Sequence, residues 1–403
     1  MPPKKEPDFL IKGIKKNVFV LGLVSLFTDI ASEMLYPIVP LFLTLVLGAP
    51  MALVGLIEGA AESTANILKV VSGWYSDKTT KRKPFVVAGY SISAISKPLM
   101  ALAYGWPLVL IARLMDRTGK GLRTSARDAL IADSSDSAHR GRSFGLHRSM
   151  DTIGAVAGPL IALGILYLSG DNYRLVFLVA FIPGLLSILL VTFFVSERRR
   201  PVTERISFKV SDFGRDYKVF LLITAIFALG NSSNVFLILR AENLGFSLYM
   251  VIMSYILFNI VSSLGAFPLG TLSDRWGRRN IMSAGFVVFG IVYFGFAWVQ
   301  HSIYIWLLFI FYGLYEALTE GIGKAYVVDL VPSGKRATAL GIYHGASGFM
   351  MLFASITAGL LWDILGPSAP FIYGGAAAVL SALLLVVLMP GDHRSSQVAG
   401  VDL

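Results

Sequence analysis

Apolar runs separated by short polar or glycine-rich breaks recur along the whole chain, and one long polar stretch, SERRRPVTERISFKVSDFGRDYK, divides them. A membrane crossing needs about 20 apolar residues. On that measure six segments precede the divide (18–47, 52–75, 84–104, 107–131, 143–168 and 173–195) and six follow it (218–240, 248–272, 281–299, 303–329, 337–362 and 369–389). The pattern predicts an all-α membrane protein with 12 transmembrane helices in two six-helix bundles. The expected divisions are an N-terminal segment at 1–17, bundles at 18–195 and 218–389, a linker at 196–217 and a tail at 390–403.

Charge adds orientation. The 403 residues hold 35 Lys+Arg against 25 Asp+Glu, yet only 15% are charged and 55% are hydrophobic, with a mean hydropathy of +0.68. The basic residues gather in alternate loops: KTTKRK, SDSAHRGR, the central segment, DRWGRRN and SGKRA. Such loops stay in the cytoplasm, so both termini and the central loop are expected there. The surplus of +10 is topological, and no nucleic-acid partner is expected. The apolar run near the N-terminus is too long for a signal-peptide core and reads as a retained first helix. There is no cysteine, hence no disulfide or Cys-type metal site.

Two turns share one pattern. GWYSDKTTKRK begins at Gly73 and GTLSDRWGRRN at Gly270, 197 positions apart. At an offset of 196, DALIAD (128–133) matches KAYVVD (324–329) and FGLHRSMD (144–151) matches LGIYHGAS (340–347). The halves are therefore copies in the same orientation, pseudo-symmetric about the membrane normal, with a substrate site expected between them near the midplane. Glycine in such a turn permits close helix approach, and an aspartate there can cap a helix or pair with a guanidinium.

These residues carry a resemblance. The chain resembles the major facilitator superfamily of secondary transporters over nearly its whole length. Gly73, Asp77, Lys81, Arg82 and Lys83, with Gly270, Asp274, Arg275, Gly277, Arg278 and Arg279, match the superfamily's cytoplasmic GxxSD-basic turn. FTDIASEM and GKGLRTSARDALIAD look like a prokaryotic group of largely unassigned substrate. The resemblance implies the major facilitator fold, alternating access, a small-molecule substrate, and the paired turns acting as cytoplasmic gates.

Charges inside the helices are costly and tend to mark pathways or buried pairs. At 1.5 Å per residue, Asp29 and Glu62 lie roughly 16 Å into their helices. Asp29 with Glu33, and Glu58 with Glu62, each share a helix face. On the fourth span Arg113, Arg117, Lys120, Thr124 and Arg127 form one stripe, with Asp116 and Asp128 beside it and Arg123 toward the inner end. Three readings compete: an interhelical ion-pair network, a proton-coupling carboxylate tuned by an arginine that also meets substrate, or a cytoplasmic vestibule role centred on Arg123 and Arg127.

The fifth span contains GAVAGPLIALG, whose Gly154, Gly158 and Pro159 resemble the helix 5 element of the superfamily's proton-driven exporters. Ala162 and Leu163 stand where those exporters have further glycines, and Met115 stands where their helix 4 has arginine. The second half is less charged. Asn231, Ser232, Ser233 and Asn234 lie on its first span, and Tyr312, Tyr315, Glu316, Glu320 and Lys324 on its fourth, where the tyrosines read as packing. His147 and His344 occupy near-equivalent positions and read as packed or loop residues. No Walker-type GxxxxGK[ST] occurs, the histidines lack metal-ligand spacing, and no nucleophile–base set suggests an enzyme. No cofactor is expected.

The sequence thus points to a monomeric secondary transporter of the cytoplasmic (inner) membrane, surrounded by lipid, that exports a small molecule in antiport with H+. Uptake or exchange of an anionic solute is the alternative, and a non-transporting receptor on the same scaffold is the less favoured one.

Overall fold

The apolar runs fold into helices that end where proline, glycine or short polar side chains interrupt them. The computed structural model of the chain describes residues 9–11, 14–78, 81–135, 139–197, 213–332 and 335–390, and the side chains of Phe9, Leu10, Ile11, Asp77, Lys78, Arg140 and Ala337 lie outside that description. Most of the expected linker at 196–217 and nearly all of the expected tail at 390–403 fall outside it too.

A short antiparallel pair, β1 (Phe9–Ile11) with β2 (Ile14–Lys15), precedes the helices. In the first half these are α1 (Lys16–Glu33), α2 (Val39–Leu41) with a π-helical turn Phe42–Val46, α3 (Met51–Lys78), α4 (Lys83–Ala101), α5 (Trp106–Ser134), α6 (Arg140–Ser169) and α7 (Tyr173–Phe194). In the second they are α8 (Arg215–Gly230), α9 (Val235–Asn243), α10 (Leu248–Trp276), α11 (Arg278–Trp298), α12 (Ile303–Asp329), α13 (Arg336–Leu365) and α14 (Ala369–Leu388). They make up the expected 12 crossings, with two of those segments broken.

The two breaks correct the expectation of single helices at 18–47 and 218–240. The first span stops at Glu33 and resumes at Val39, because Pro37 and Pro40 lack the N–H a continuous ladder needs. The seventh stops at Gly230 and resumes at Val235, where Asn231, Ser232, Ser233 and Asn234 offer side chains that compete with the helix for backbone partners. Tyr36 plus 196 is Ser232, so both breaks fall at the same place in the repeat.

The chain divides into two compact units, Met1–Val39 with Thr64–Arg205, and Pro40–Ser63 with Ile206–Leu403. Within the second unit, the start of α3 packs on α13: a Cβ on Gly359 would lie 2.3 Å from the Met51 carbonyl oxygen, and Asp363 accepts from the Met51 and Ala52 N–H groups. Inside the first unit α4 packs on α5 and α7, and α1 on α6 and α7. In the second, α11 packs on α12 and α14, and α8 on α13 and α14. Each pairing in one unit has its counterpart in the other.

Eight helical segments among the described residues are long and apolar enough to cross a membrane on length and composition alone. All six crossings of the second half qualify, but only α6 and α7 of the first. The remainder, α1 to α5, hold Asp29, Glu33, Glu58, Glu62, Lys97 and the charges of α5. Around the outside, Phe193, Leu264 and Val387 are each more than 70% exposed. Helices that are apolar on their outer as well as their inner faces belong in lipid.

Candidate functional site

Close helix contact in the first unit depends on glycine. A Cβ on Gly119 would sit 2.4 Å from the Gly89 carbonyl oxygen of α4, and one on Gly121 would sit 2.6 Å from Leu68 of α3. The GKG at 119–121 therefore lets α5 touch two neighbours at once. Gly73 approaches Ser125, whose hydroxyl donates to the Lys69 carbonyl, while Ser72 donates to that of Gly121. On α6, Gly154 meets Asp29 Cβ and Gly158 meets the Ile30 carbonyl oxygen and Glu33 Cβ, so the GAVAGP element is the seat of α1. Pro159 lies buried within α6.

These approaches bring charge into the bundle's interior. Asp116 accepts from Lys97 Nζ and from Ser93 Oγ, both at 2.5 Å, while Arg113 and Arg117 stand 4.0 and 3.9 Å from its other oxygen. Lys97 is 1% exposed and Arg113, Asp116 and Arg117 are all buried. Three cations thus surround one carboxylate, and Arg117 also lies over the ring of Tyr36 in the first break, 5.8 Å from its centre. A buried charge tolerates such a site only when paired and hydrogen-bonded. Lys97 is the member sequence reasoning missed. Its signal was present, since a lone lysine in an apolar helix, one turn after a serine, needs a buried acid.

Nearer the other end of α5, Arg123 is buried over the ring of Tyr90 at 4.8 Å. Arg127 pairs with Asp128 at 2.9 Å and donates to Ser25 of α1 at 3.0 Å. Lys120 is half-buried, and its carbonyl accepts from Thr124. Asp29 and Glu33 occupy the last turns of α1, half-buried, where Gly154 of α6 approaches Asp29. Glu58 is fully buried and Glu62 half-buried, both on the part of α3 that packs with the second unit.

The repeated turns brace the ends of their own bundles. Arg82 Nη1 is 2.9 Å from Asp133 Oδ2, and Arg278 Nε is 2.7 Å from Asp329 Oδ2. Lys83 donates to the Thr192 and Val195 carbonyls ending α7, and Arg279 donates to that of Met389 ending α14. Glu197 accepts from the N–H groups of Arg82 and Lys83 at the start of α4. Asp274 is 3.4 Å from Arg278; Lys81, Asp274 and Arg275 are exposed, and the space at Gly270 is open. The side chain of Asp77 lies outside the described residues.

In the second unit the break between α8 and α9 is held by uncharged groups. Asn231 donates to Tyr315 Oη at 3.1 Å, Tyr312 donates to Asn234 Oδ1 at 2.7 Å, and the Ser233 N–H donates to Ser355 Oγ. Tyr312 and Tyr315 therefore do more than pack, although they also join an aromatic cluster with Phe289 and Tyr293. Glu316 is half-buried, and exposed Glu320 pairs with Lys324. His344 packs edge-on to Tyr343, whereas His147 is buried and hydrogen-bonded to Ser25. No group of three or more His, Cys, Asp or Glu fit to hold a metal occurs among the described residues.

Comparison with known proteins agrees with this architecture. The Major Facilitator Superfamily model matches residues 21–219 and 219–400. An uncharacterized MFS-type transporter of Methanocaldococcus jannaschii is 40% identical over 386 residues, covering 94% of this chain and 96% of its own. The class C tetracycline resistance protein of Escherichia coli is 25% identical over 350 residues, 81% of this chain and 83% of its own. Among solved structures, a POT family transporter in complex with 5-aminolevulinic acid superposes with a TM-score of 0.79 at 13% identity, over 94% of this chain and 99% of the other, a likeness of fold. The chain is a multi-pass membrane protein that belongs to the major facilitator superfamily of transporters.

Proposed function

We propose that this transporter exports a small molecule in exchange for protons by alternating access, as a monomer in the cytoplasmic membrane with both termini inside the cell. The bundles at 18–195 and 218–389 are the moving bodies, and the basic turns at Arg82 and Arg278 are the cytoplasmic gates. The observation that carries the reading is the asymmetry of buried charge. Lys97, Arg113, Asp116 and Arg117 lie buried together inside the first unit, whereas the matching part of the second offers Asn231, Asn234, Tyr312 and Tyr315. Ionisable groups at membrane depth serve proton and ion pathways; amides and phenols bind uncharged parts of a solute. Export is favoured by the resistance proteins among the relatives and by the Gly154–Gly158–Pro159 element.

The three cations around Asp116 favour one other reading, uptake or exchange of an anionic solute. Everted vesicles separate the two. After a thermal-shift screen identifies solutes that bind, an acidic vesicle interior should drive accumulation of an exported substrate, with the interior pH rising as it enters. Accumulation that ignores the proton gradient but follows a counter-gradient of anion would replace export by exchange.

A further inference from the structure

Two buried polar groups share the contact between α4 and α5, each with an atom that has no partner. Arg123 of α5 is 4% exposed and Tyr90 of α4 is 2% exposed, and the guanidinium lies over the ring, 4.8 Å from its centre. Arg123 Nη1 and Tyr90 Oη are both buried without a hydrogen-bond partner. The backbone enforces their meeting. A Cβ on Gly89, the residue before Tyr90, would lie 2.7 Å from Arg123 Cβ and 2.7 Å from the Gly119 carbonyl oxygen, so the helices touch here and hold the guanidinium inside the bundle. A charged donor and a hydroxyl left unmet in such a place are costly. The attraction of the ring for the cation offsets only part of that cost.

The acids on the surrounding elements are directed elsewhere. Asp116 accepts from Lys97 and Ser93, Asp128 pairs with Arg127, and Asp29 of α1 sets its Cβ against Gly154 of α6. A water molecule would supply a partner for the two donors but leave the charge, whereas an anion answers both. The setting also selects the kind of anion. Phosphate or sulfate brings several oxygens and more than one charge, which one guanidinium and one hydroxyl do not satisfy. Tyr90 moreover belongs to a buried apolar cluster with Val20, Val24, Val86 and Ala126. A small, singly charged ion needs few donors and fits between such walls.

The geometry points to a binding site for a small monovalent anion of the chloride type between α4 and α5, with Arg123 Nη1 and Tyr90 Oη as its donors. The ion neutralises the guanidinium and fastens the two helices to each other. It is a resident ion of the first unit, and its binding rests neither on proton coupling nor on the direction of transport. The site is also separate from the cluster around Asp116, which lies two turns earlier on α5.

Purified full-length protein, exchanged into sodium gluconate and titrated with sodium chloride at constant ionic strength, tests this with chloride itself as the probe. The melting temperature should rise saturably with chloride; bromide should replace it and sulfate should not. Equilibrium binding of radiolabelled chloride should approach one ion per chain. Tyr90→Phe should weaken that binding about tenfold or more, the loss of one hydrogen bond to a charged group. The same variant should melt in gluconate no lower than wild type, because without chloride the hydroxyl it removes meets no partner. Arg123→Met should abolish binding, and if that variant fails to fold, the tyrosine variant decides alone. Absence of chloride binding by the wild type, binding that Tyr90→Phe leaves at wild-type strength, or an equal loss of melting temperature in both salts overturns the site.

Discussion

Arg82 Nη1 lies 2.9 Å from Asp133 Oδ2, and 196 positions later Arg278 Nε lies 2.7 Å from Asp329 Oδ2. One relationship is thus built twice: the basic turn of each bundle grips the acid that ends that bundle's fourth crossing. The adjoining pair repeats as well, since Lys83 and Arg279 both donate to carbonyls where the last crossing stops. Each turn ties three helices of its own bundle together at one end.

Because these side chains are between 15% and 38% exposed, each pair is worth about 1 kcal/mol, the range for partly solvated ion pairs. Arg82→Ala and Arg278→Ala should each lower the melting temperature in detergent by a few degrees. The exchange Arg82→Asp with Asp133→Arg should recover part of the loss. Equal melting of the single and exchanged variants would show that the pair contributes nothing to holding the turn.

The buried pair is a different case. Asp116→Asn leaves Lys97, 1% exposed, without the carboxylate its ammonium now meets. Removing one partner of a buried pair costs about 3–5 kcal/mol, so Asp116→Asn should lower the melting temperature sharply. Lys97→Met is expected to be much milder, because Asp116 keeps two arginines within 4.0 Å. Thermal unfolding of both variants checks the order. A Lys97→Met protein that melts lower than Asp116→Asn would mean that the lysine, not the carboxylate, organises the cluster.

The repeat was legible in the sequence because duplicated turns preserve chemistry at a fixed offset, and it carried the fold with it. Arg82 and Asp133 each belonged to a matched motif, but nothing in the one-dimensional pattern said that the two motifs meet. The helix breaks were hidden for another reason. Hydrophobicity runs unbroken through Pro37 and Pro40, so the pattern of apolar positions continues where the backbone ladder does not. Lys97 passed as part of an apolar span. Glycine spacing announces a close contact, but the residue that Gly154 brings near, Asp29, is set by the partner helix.

Glycine contacts give a graded test. Gly119→Ala places a methyl against two backbone atoms, 2.4 Å from the Gly89 carbonyl oxygen and 2.8 Å from the Ser93 N. Neither can move without shifting α4, so a loss of about 1–3 kcal/mol is expected, as for overpacked cores. Gly164 of α6 has open space around it, and Gly164→Ala should stabilise by up to about 1 kcal/mol through helix propensity alone. Chemical or thermal unfolding of the two variants side by side should give opposite signs. A Gly119→Ala protein as stable as wild type would rule out tight α4–α5 contact.

The second break offers a prediction about what holds an interrupted helix. The helix is interrupted between Asn231, whose N–H still bonds the Phe227 carbonyl, and Asn234, whose carbonyl accepts from Ile238, and side chains of α12 reach the break: Tyr312 donates to Asn234 Oδ1 at 2.7 Å and Asn231 donates to Tyr315 Oη at 3.1 Å. Tyr312 is 1% exposed, so Asn234→Leu removes the acceptor that its hydroxyl now meets, and Tyr312→Phe removes the donor to the half-buried Asn234 oxygen. Each should cost about 1–3 kcal/mol, the penalty for a buried polar group left without its partner. The double variant removes both groups at once and should be more stable than the sum of the singles predicts, with a coupling of about 0.5–3 kcal/mol for groups in direct contact. Melting curves of the four proteins supply the cycle. Strict additivity would mean that the bond between Tyr312 and the Asn234 side chain does not help to hold the break.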